Sequence, residues 1–200
     1  QGLISRGQLW STLELQIRRV PGGRYTTQVF EQMKVGDTVE FEGPLGSFFL
    51  REDSAKPILF VAGATGFAPV KSMVEHAFAT GLKRRMVLYW GTRTLRDMYA
   101  RELCERWAKE HPETFTFVPV LSEPKPEDHW TGRTGLVHEA ILADFPTLAG
   151  HQVYACGSVA MVEAAHPAFR ARGMDPNDCF SDAFRLSPHL ARETPQEELV

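Results

Sequence analysis

The segment from residue 58 to residue 76 constrains the fold of this chain more than any other. An apolar run at 58–62 leads into the turn Gly63-Ala64-Thr65-Gly66 and then into a helical pattern with Pro69 near its start. This order predicts a buried strand, a tight turn and a helix, because proline is tolerated in the first helical turn. The segment lacks the usual Gly-x-Gly-x-x-Gly fingerprint. It is therefore either an anion-binding turn at a helix start or an ordinary strand-to-helix connection.

The chain from residue 56 onward alternates strand-like and helix-like segments. Such alternation predicts an α/β fold, a parallel sheet of about five strands with helices on both faces and ligands at the carboxyl ends of the strands. We expect the strand at 58–62 to lie inside the sheet and Gly63 to share one end of it with Cys156. Further strands are predicted at 86–90, 115–121, 153–156 and 179–180, and helices at 95–110, 137–145 and 159–171.

Residues 13–50 have a different pattern, which predicts short antiparallel strands. Apolar and polar residues alternate at 13–18, and glycine- and proline-containing turns at 21–23 and 43–46 flank the strand-like residues 25–30 and 39–41. This region is too small for a complete barrel, so we expect a partial one. The predicted divisions are a barrel domain at 1–52, the parallel-sheet domain at 53–186 and a frayed tail at 187–200.

Composition excludes several classes of protein. The net charge of −3 argues against a nucleic-acid-binding surface, and no apolar run approaches the roughly 20 residues that a membrane span needs. Cys104, Cys156 and Cys179 are widely spaced and the seven histidines are scattered. This pattern argues against a disulfide framework, a zinc site or an iron–sulfur cluster, and favours a reducing, cytoplasmic setting.

Three motifs occur in an order and spacing that resemble the ferredoxin–NADP reductase-like flavoprotein superfamily. They are Gly63-Ala64-Thr65-Gly66-Phe67-Ala68-Pro69, Trp90-Gly91-Thr92-Arg93 and Tyr154-Ala155-Cys156-Gly157-Ser158. The nearest branch is that of oxygenase reductases and CDP-6-deoxyhexulose dehydrase reductases, and the resemblance covers residues 13–184. It implies an FAD-binding barrel followed by an NAD(P)-binding domain. The implied activity passes hydride from NADH to FAD and electrons onward to an iron–sulfur, oxygenase or dehydrase acceptor protein.

The resemblance also assigns roles at the nucleotide end. Cys156 and Thr65 would lie where hydride leaves the nicotinamide, since a small polarizable thiol lets two rings approach beside it. A space-filling cysteine is the alternative for Cys156, and a solvated loop charge is the alternative for Arg93. The expected nucleotide-binding residues are Gly63, Ala64, Thr65, Gly66, Gly91, Arg93, Ser122, Glu123, Cys156, Gly157 and Met161.

Flavin contacts are assigned to the first domain. Gln16, Ile17 and Arg18 would line the flavin, although strand pairing explains them equally well. The phosphates would meet Gly23, Tyr25 and Thr26, and Phe184 would lie near the flavin ring.

The chain departs from the family pattern before residue 13. The family's Arg-x-Tyr-Ser segment, which binds the flavin, has no counterpart there. We therefore expect an N-terminally shortened reductase that binds FAD weakly. An opened barrel would leave an apolar face, either paired with a second copy or covered by residues 2–10. The family usually has proline where this chain has Ser158, which is a good helix N-cap.

The nucleotide preference depends on the end of the strand at 115–121. Glu123 and Pro124 stand where NADP-using relatives tend to place a basic residue, which favours NADH, although Arg93, Arg96 or Lys125 could supply positive charge. Two other functions stay open. One is an NAD(P)H:flavin reductase that uses diffusible flavin, and the other is a catalytically silent nucleotide-binding module.

Overall fold

A six-stranded parallel sheet forms the centre of the computed structural model, which describes residues 12–43 and 45–184. The strands are β1 (Ile58–Gly63), β2 (Met86–Thr92), β3 (Phe115–Leu121), β4 (Arg133–Thr134), β5 (Gln152–Ser158) and β6 (Cys179–Phe184). Their spatial order is β4-β3-β2-β1-β5-β6, and every neighbouring pair is parallel. The predicted parallel sheet is confirmed. The additional strand, β4, has two residues, too few to produce a periodic pattern in the sequence.

The register places the predicted turns at one edge of the sheet. β1 lies between β2 and β5, with Gly63 opposite Gly91 and Ala62 opposite Cys156. Thr92 at the end of β2 is opposite Leu121 at the end of β3. Because all strands run in the same direction, their carboxyl ends meet at a single edge, as the alternating pattern predicted.

The helices cover both faces of the sheet. The helices packed on the sheet are α2 (Phe67–Ala79), α3 (Arg101–Glu110), α4 (Val137–Asp144) and α5 (Val159–Ala171), and a short helix, α1 (Arg24–Thr27), precedes β1 in the chain. Alternate strand residues divide the core, because successive side chains point to opposite faces. Phe60 of β1 packs with α2 and α3 on one face, and Val61 packs with α4 and α5 on the other. The predicted helix at 95–110 begins later, at Arg101, after a 3₁₀ turn at Leu95–Asp97.

The partial antiparallel barrel predicted for residues 13–50 is not formed in the described part of the chain. No strand occurs at 12–43 or 45–57, and the extended conformation predicted at 25–30 is wrong, since α1 and the π-helical turn Gln28–Gln32 occupy it. The Thr26 hydroxyl donates to the Val20 carbonyl at 3.1 Å and accepts a hydrogen bond from the Val20 N–H at 3.3 Å. These local bonds favour a turn and a short helix, because β-branched residues form strands only against partner strands.

The described ranges contain no helix with the length and apolar character needed to cross a bilayer. Those residues also bring together no group of three or more histidine, cysteine or acidic side chains that could hold a metal ion. The predicted tail at 187–200 and the predicted covering segment at 2–10 lie outside the described residues.

Candidate functional site

Four turns lie side by side along the carboxyl edge of the sheet. The strand order places them in the sequence β3, β2, β1, β5 along the edge, so the turn after β1 lies in the middle. Backbone bonds continue past the end of the β2–β3 ladder, because the Ser122 N–H donates to the Thr92 carbonyl at 2.9 Å and the Glu123 N–H to the Arg93 carbonyl at 2.8 Å. The structure therefore brings together the expected nucleotide residues Gly63, Ala64, Thr65, Gly66, Gly91, Arg93, Ser122, Glu123, Cys156 and Gly157.

Close packing explains the glycines in the turn after β1 and at the end of β5. A Cβ atom on Gly66 would lie 2.0 Å from the carbonyl oxygen of Cys156. A Cβ on Gly63 or Gly157 would lie 2.6 Å or 2.7 Å from the thioether of Met161. The turn after β1 thus packs directly against the end of β5, with the Met161 side chain over both. These glycines permit contact between protein segments, whether or not they also admit a phosphate.

The turn after β1 has an unusual backbone at Ala64, whose φ is +46°. A residue other than glycine in this left-handed region costs of order 1–3 kcal/mol and persists only when its surroundings hold it. The Trp90 indole N–H donates to the Ala64 carbonyl at 2.9 Å. No periodicity in the sequence singles out Trp90, and its place in Trp90-Gly91-Thr92-Arg93 is the only signal that marks it.

Cys156 is fully buried at the end of β5. Its side chain belongs to the core on the face of α2 and α3, and burial raises the pKa of the thiol well above its ordinary value, with the nearby Asp182 acting in the same direction. The thiol is therefore protonated at neutral pH, which argues against a thiolate nucleophile. Its predicted place beside the nicotinamide stays a prediction.

Two helices begin at this edge, and their N-termini are suited to binding an anion. α2 starts directly after the Gly63–Gly66 turn, and α5 starts after Ser158, whose hydroxyl accepts a bond from the Met161 N–H at 3.2 Å. The predicted N-cap is confirmed. Both helices have 13 residues, so each presents the positive end of a substantial dipole to the same edge.

Arg93 and Glu123 bind each other at the ends of β2 and β3. The Arg93 Nη2 lies 2.9 Å from Glu123 Oε2 and its Nε lies 3.2 Å from Oε1, a two-point ion pair across the ends of β2 and β3. Both side chains remain substantially exposed. The Glu123 carboxylate thus lies at the carboxyl edge of the sheet and is paired with the guanidinium of Arg93.

The flavin-side residues occupy varied environments. Gln16 bonds to the Tyr99 hydroxyl and to Glu14, while Glu14 also pairs with Lys71 of α2 at 3.0 Å. The Gln16 and Lys71 bonds lower the pKa of the Glu14 carboxyl. Gly23 and Thr26 form the start of α1, and Tyr25 is half exposed. Ile17 and Arg18 lie in no strand, and Phe184 ends β6 opposite Ser158.

Two family models match this chain. The oxidoreductase FAD-binding domain matches residues 3–50, and the oxidoreductase NAD-binding domain matches residues 60–167. The second match covers more than half of the chain and contains all four turns. The first match covers the region in which sequence predicted a flavin domain.

Relatives with known names extend the comparison. The chain is 44% identical over 172 residues to a CDP-6-deoxy-L-threo-D-glycero-4-hexulose-3-dehydrase reductase of Yersinia pestis, covering 86% of this chain and 51% of the relative. It is 38% identical over 172 residues to the ferredoxin–NAD(P)(+) reductase component of a Pseudomonas putida naphthalene 1,2-dioxygenase system, covering 86% and 52%.

The chain also resembles solved structures. It superposes on the Amycolatopsis cytochrome P450 reductase GcoB with a TM-score of 0.76 and 38% identity, covering 84% of this chain and 50% of that one. The chain thus spans about half the length of the relatives that it matches. Because both family models match and the sheet is parallel, the chain belongs to the ferredoxin–NADP reductase-like flavoprotein family.

Proposed function

We propose that this chain is an NAD(P)H-dependent flavin oxidoreductase that takes hydride from NADH for transfer to FAD and passes electrons to an acceptor protein. One observation carries the proposal. The turn after β1 and the end of β5 are packed together at the middle of the carboxyl edge, with Gly66 directly against the Cys156 carbonyl. Ligands of open parallel sheets bind at this edge.

The nucleotide side has the chemistry that a dinucleotide needs. The N-termini of α2 and α5 supply positive dipole ends for a pyrophosphate, and Thr65 is half-buried in the turn, where a nicotinamide would be oriented. When bound, the nicotinamide and flavin supply the hydride and electron chemistry, and the protein orients them. The protein then has to hold the donor ring and exclude water, and no side chain has to act as a general acid or base.

The flavin side fits its cofactor less completely. Tyr25 is exposed, and the Thr26 hydroxyl is already engaged with the backbone of Val20 and Gly23. We infer that FAD binds here weakly.

The acceptor is proposed by likeness to the relatives. Those relatives are named as dehydrase, dioxygenase and cytochrome P450 reductases, so the acceptor we propose is a ferredoxin-type, oxygenase or dehydrase protein. We place the protein in the cytoplasm, and we propose that NADH is preferred over NADPH because Glu123 stands at the end of β3.

The test uses the purified chain with NADH and added flavins. We expect NADH to bind in calorimetric titration and to reduce added FAD faster than the protein-free mixture does. A chain that binds NADH and reduces FMN, riboflavin and FAD alike, without retaining any of them, would favour the diffusible-flavin reductase instead. The absence of strands at 12–43 and 45–57 favours that second function. NADH binding without turnover on any flavin would indicate a silent nucleotide-binding module.

A further inference from the structure

Trp90 contacts both sides of the turn that follows β1. Its side chain is fully buried and extends from the neighbouring strand, β2. The indole N–H donates to the Ala64 carbonyl at 2.9 Å, on the strand side of the turn. The ring stacks on Phe67, the first residue of α2, with centroids 4.1 Å apart and planes 14° from parallel. One side chain therefore touches the beginning and the end of the turn.

The conformation of Ala64 requires such a support. Among the described residues, Ala64 and His129 are the non-glycine residues with positive φ. The left-handed conformation is strained for a residue with a Cβ atom and persists where the surrounding structure imposes it. The bond to Trp90 is directed at the carbonyl of this strained residue, so its loss would release the turn locally.

We propose that Trp90 is a positioning residue for the nucleotide. Its N–H holds the left-handed backbone of Ala64 and thereby sets the path of Thr65 and Gly66, and its ring fixes the start of α2. Trp90 acts through the turn and need not touch the nucleotide. The proposal rests on the proposed function for its nucleotide, but its structural part concerns the free protein.

Tyr99 supports the ring from the outer side. Its ring meets Trp90 edge-on at 5.2 Å between centroids, and its hydroxyl bonds to the Gln16 side chain. Gln16 lies in the segment that matches the FAD-binding domain. Trp90 thus lies between the flavin-side segment and the nucleotide turn, where its orientation matters for both.

The test compares Trp90→Phe with Trp107→Phe. Phenylalanine at position 90 keeps an aromatic ring against Phe67 and removes the N–H. Trp107 is the matched control, because it is buried in the same core and contacts Phe67 through its ring, at 6.1 Å between centroids. We expect Trp90→Phe to raise the NADH dissociation constant about fivefold and to speed amide exchange at residues 64–67, with Trp107→Phe changing both by less than about twofold.

A second comparison isolates the backbone strain. Glycine adopts positive φ without cost, so Ala64→Gly should make the support from Trp90 less necessary. In the Ala64→Gly background we expect Trp90→Phe to change NADH affinity by about twofold or less. A merely structural role for Trp90 would lower the unfolding midpoint equally in both backgrounds and would not produce this rescue.

Three results have defined meanings. Equal effects of the two tryptophan variants on exchange at residues 64–67 overturn the proposal, as does an undiminished affinity loss in the Ala64→Gly background. A wild-type chain that binds no NADH overturns the proposed function, while amide exchange in the free protein still decides whether Trp90 holds the turn.

Discussion

Cys156 lies at the carboxyl edge of the sheet, where we propose that the nucleotide binds (the nucleotide edge), and it is fully buried. Its carbonyl lies against Gly66 and its thiol lies in the core on the face of α2 and α3. A neutral, buried thiol can influence a bound ring only by its size and polarizability. The two interpretations of Cys156, a contact that permits ring approach and a space-filling residue, therefore differ in which measurable quantity the side chain controls.

Cys156→Ala separates these interpretations. If the thiol sets ring approach, we expect turnover with added FAD to fall about tenfold while the NADH dissociation constant changes less than twofold, because orientation affects the reacting geometry more than phosphate binding. Cys104→Ala is the control, since Cys104 is equally buried in the same core, in α3. Equal losses of stability in the two variants, without a selective rate effect at Cys156, would support the space-filling interpretation.

Glu123 is the second residue whose role can be measured directly. Its carboxylate engages Arg93, and we expect it to disfavour a 2′-phosphate both by repulsion and by occupying that guanidinium. We expect Glu123→Ser to shift the ratio of kcat/KM for NADH and NADPH toward NADPH by roughly tenfold, which corresponds to about 1.4 kcal/mol. Glu127→Ser, at an exposed position in the same loop, should leave the ratio unchanged. A wild-type preference for NADPH would contradict the argument.

At the scale of elements, the segment that leads into β1 is attached to the sheet by the buried side chains of Arg84 and Tyr154. Arg84 donates to the carbonyls of Arg51 and Lys56 at 2.7 Å and 2.6 Å, and to the side chain of Gln152 in β5 at 2.8 Å. The Arg51 N–H in turn donates to the Tyr154 hydroxyl at 2.9 Å. Residues 51–56 are therefore held against the amino end of the sheet, opposite the nucleotide edge.

Arg84→Ala tests this attachment. Loss of the guanidinium removes the donor from two carbonyls and one amide in a buried setting, so we expect the free energy of unfolding to fall by about 3 kcal/mol. Arg85→Ala is the control, because Arg85 is the exposed neighbour. Urea denaturation of the two variants measures the difference. A loss below about 0.5 kcal/mol would mean that the network does not stabilise the fold.

For the whole molecule, the parallel sheet and the preceding segment differ in how much surface they bury. The central strands β1 and β5 are buried on both faces and β2 is largely buried, whereas Val35, Val39, Phe41 and Leu45 are exposed. This exposed apolar surface agrees with an expected face that pairs with a second copy, although such pairing stays a prediction. Sedimentation analysis would measure it.

Flavin retention is the prediction that belongs to this scale. Residues 1–12 contain no Arg-x-Tyr-Ser sequence, and without such charged hydrogen bonds to the flavin we expect binding to be weaker by on the order of 4 kcal/mol, about a thousandfold in affinity. We therefore expect the chain to purify with little flavin and to reduce acceptors poorly until FAD is added. The flavin absorbance that remains after extensive dialysis measures this, and a stoichiometric amount would show the prediction to be wrong.

A matched pair of variants locates the remaining flavin contact. Tyr25 and Phe30 are exposed to similar extents, 49% and 50%, and lie in the same helical segment. If Tyr25 meets the flavin, Tyr25→Ala should raise the FAD dissociation constant by roughly tenfold, whereas Phe30→Ala should leave it within about twofold. Equal effects of both variants would remove Tyr25 from the flavin site.

The nucleotide half could be predicted from sequence because its signals are local. Each central strand is a short apolar run, each helix has its own amphipathic pattern and Ser158 is a recognisable N-cap, so the parallel sheet and its shared edge follow from element order alone. The alternation at 13–18 is an equally local signal, yet it did not produce strands. A strand is stable only when a second one pairs with it, and pairing is not a property of one segment.

Only the tertiary structure decided how the site is assembled. A side chain at position 66 would collide with the carbonyl of Cys156, and one at position 63 would collide with the side chain of Met161. Both obstacles come from a segment distant in sequence, so the sequence around each glycine does not reveal why glycine is needed. The tertiary structure likewise pairs Arg93 with Glu123 and directs the indole N–H of Trp90 to the Ala64 carbonyl. Local propensities set which elements form, whereas steric fit and directed hydrogen bonds between distant segments set which atoms meet at the nucleotide edge.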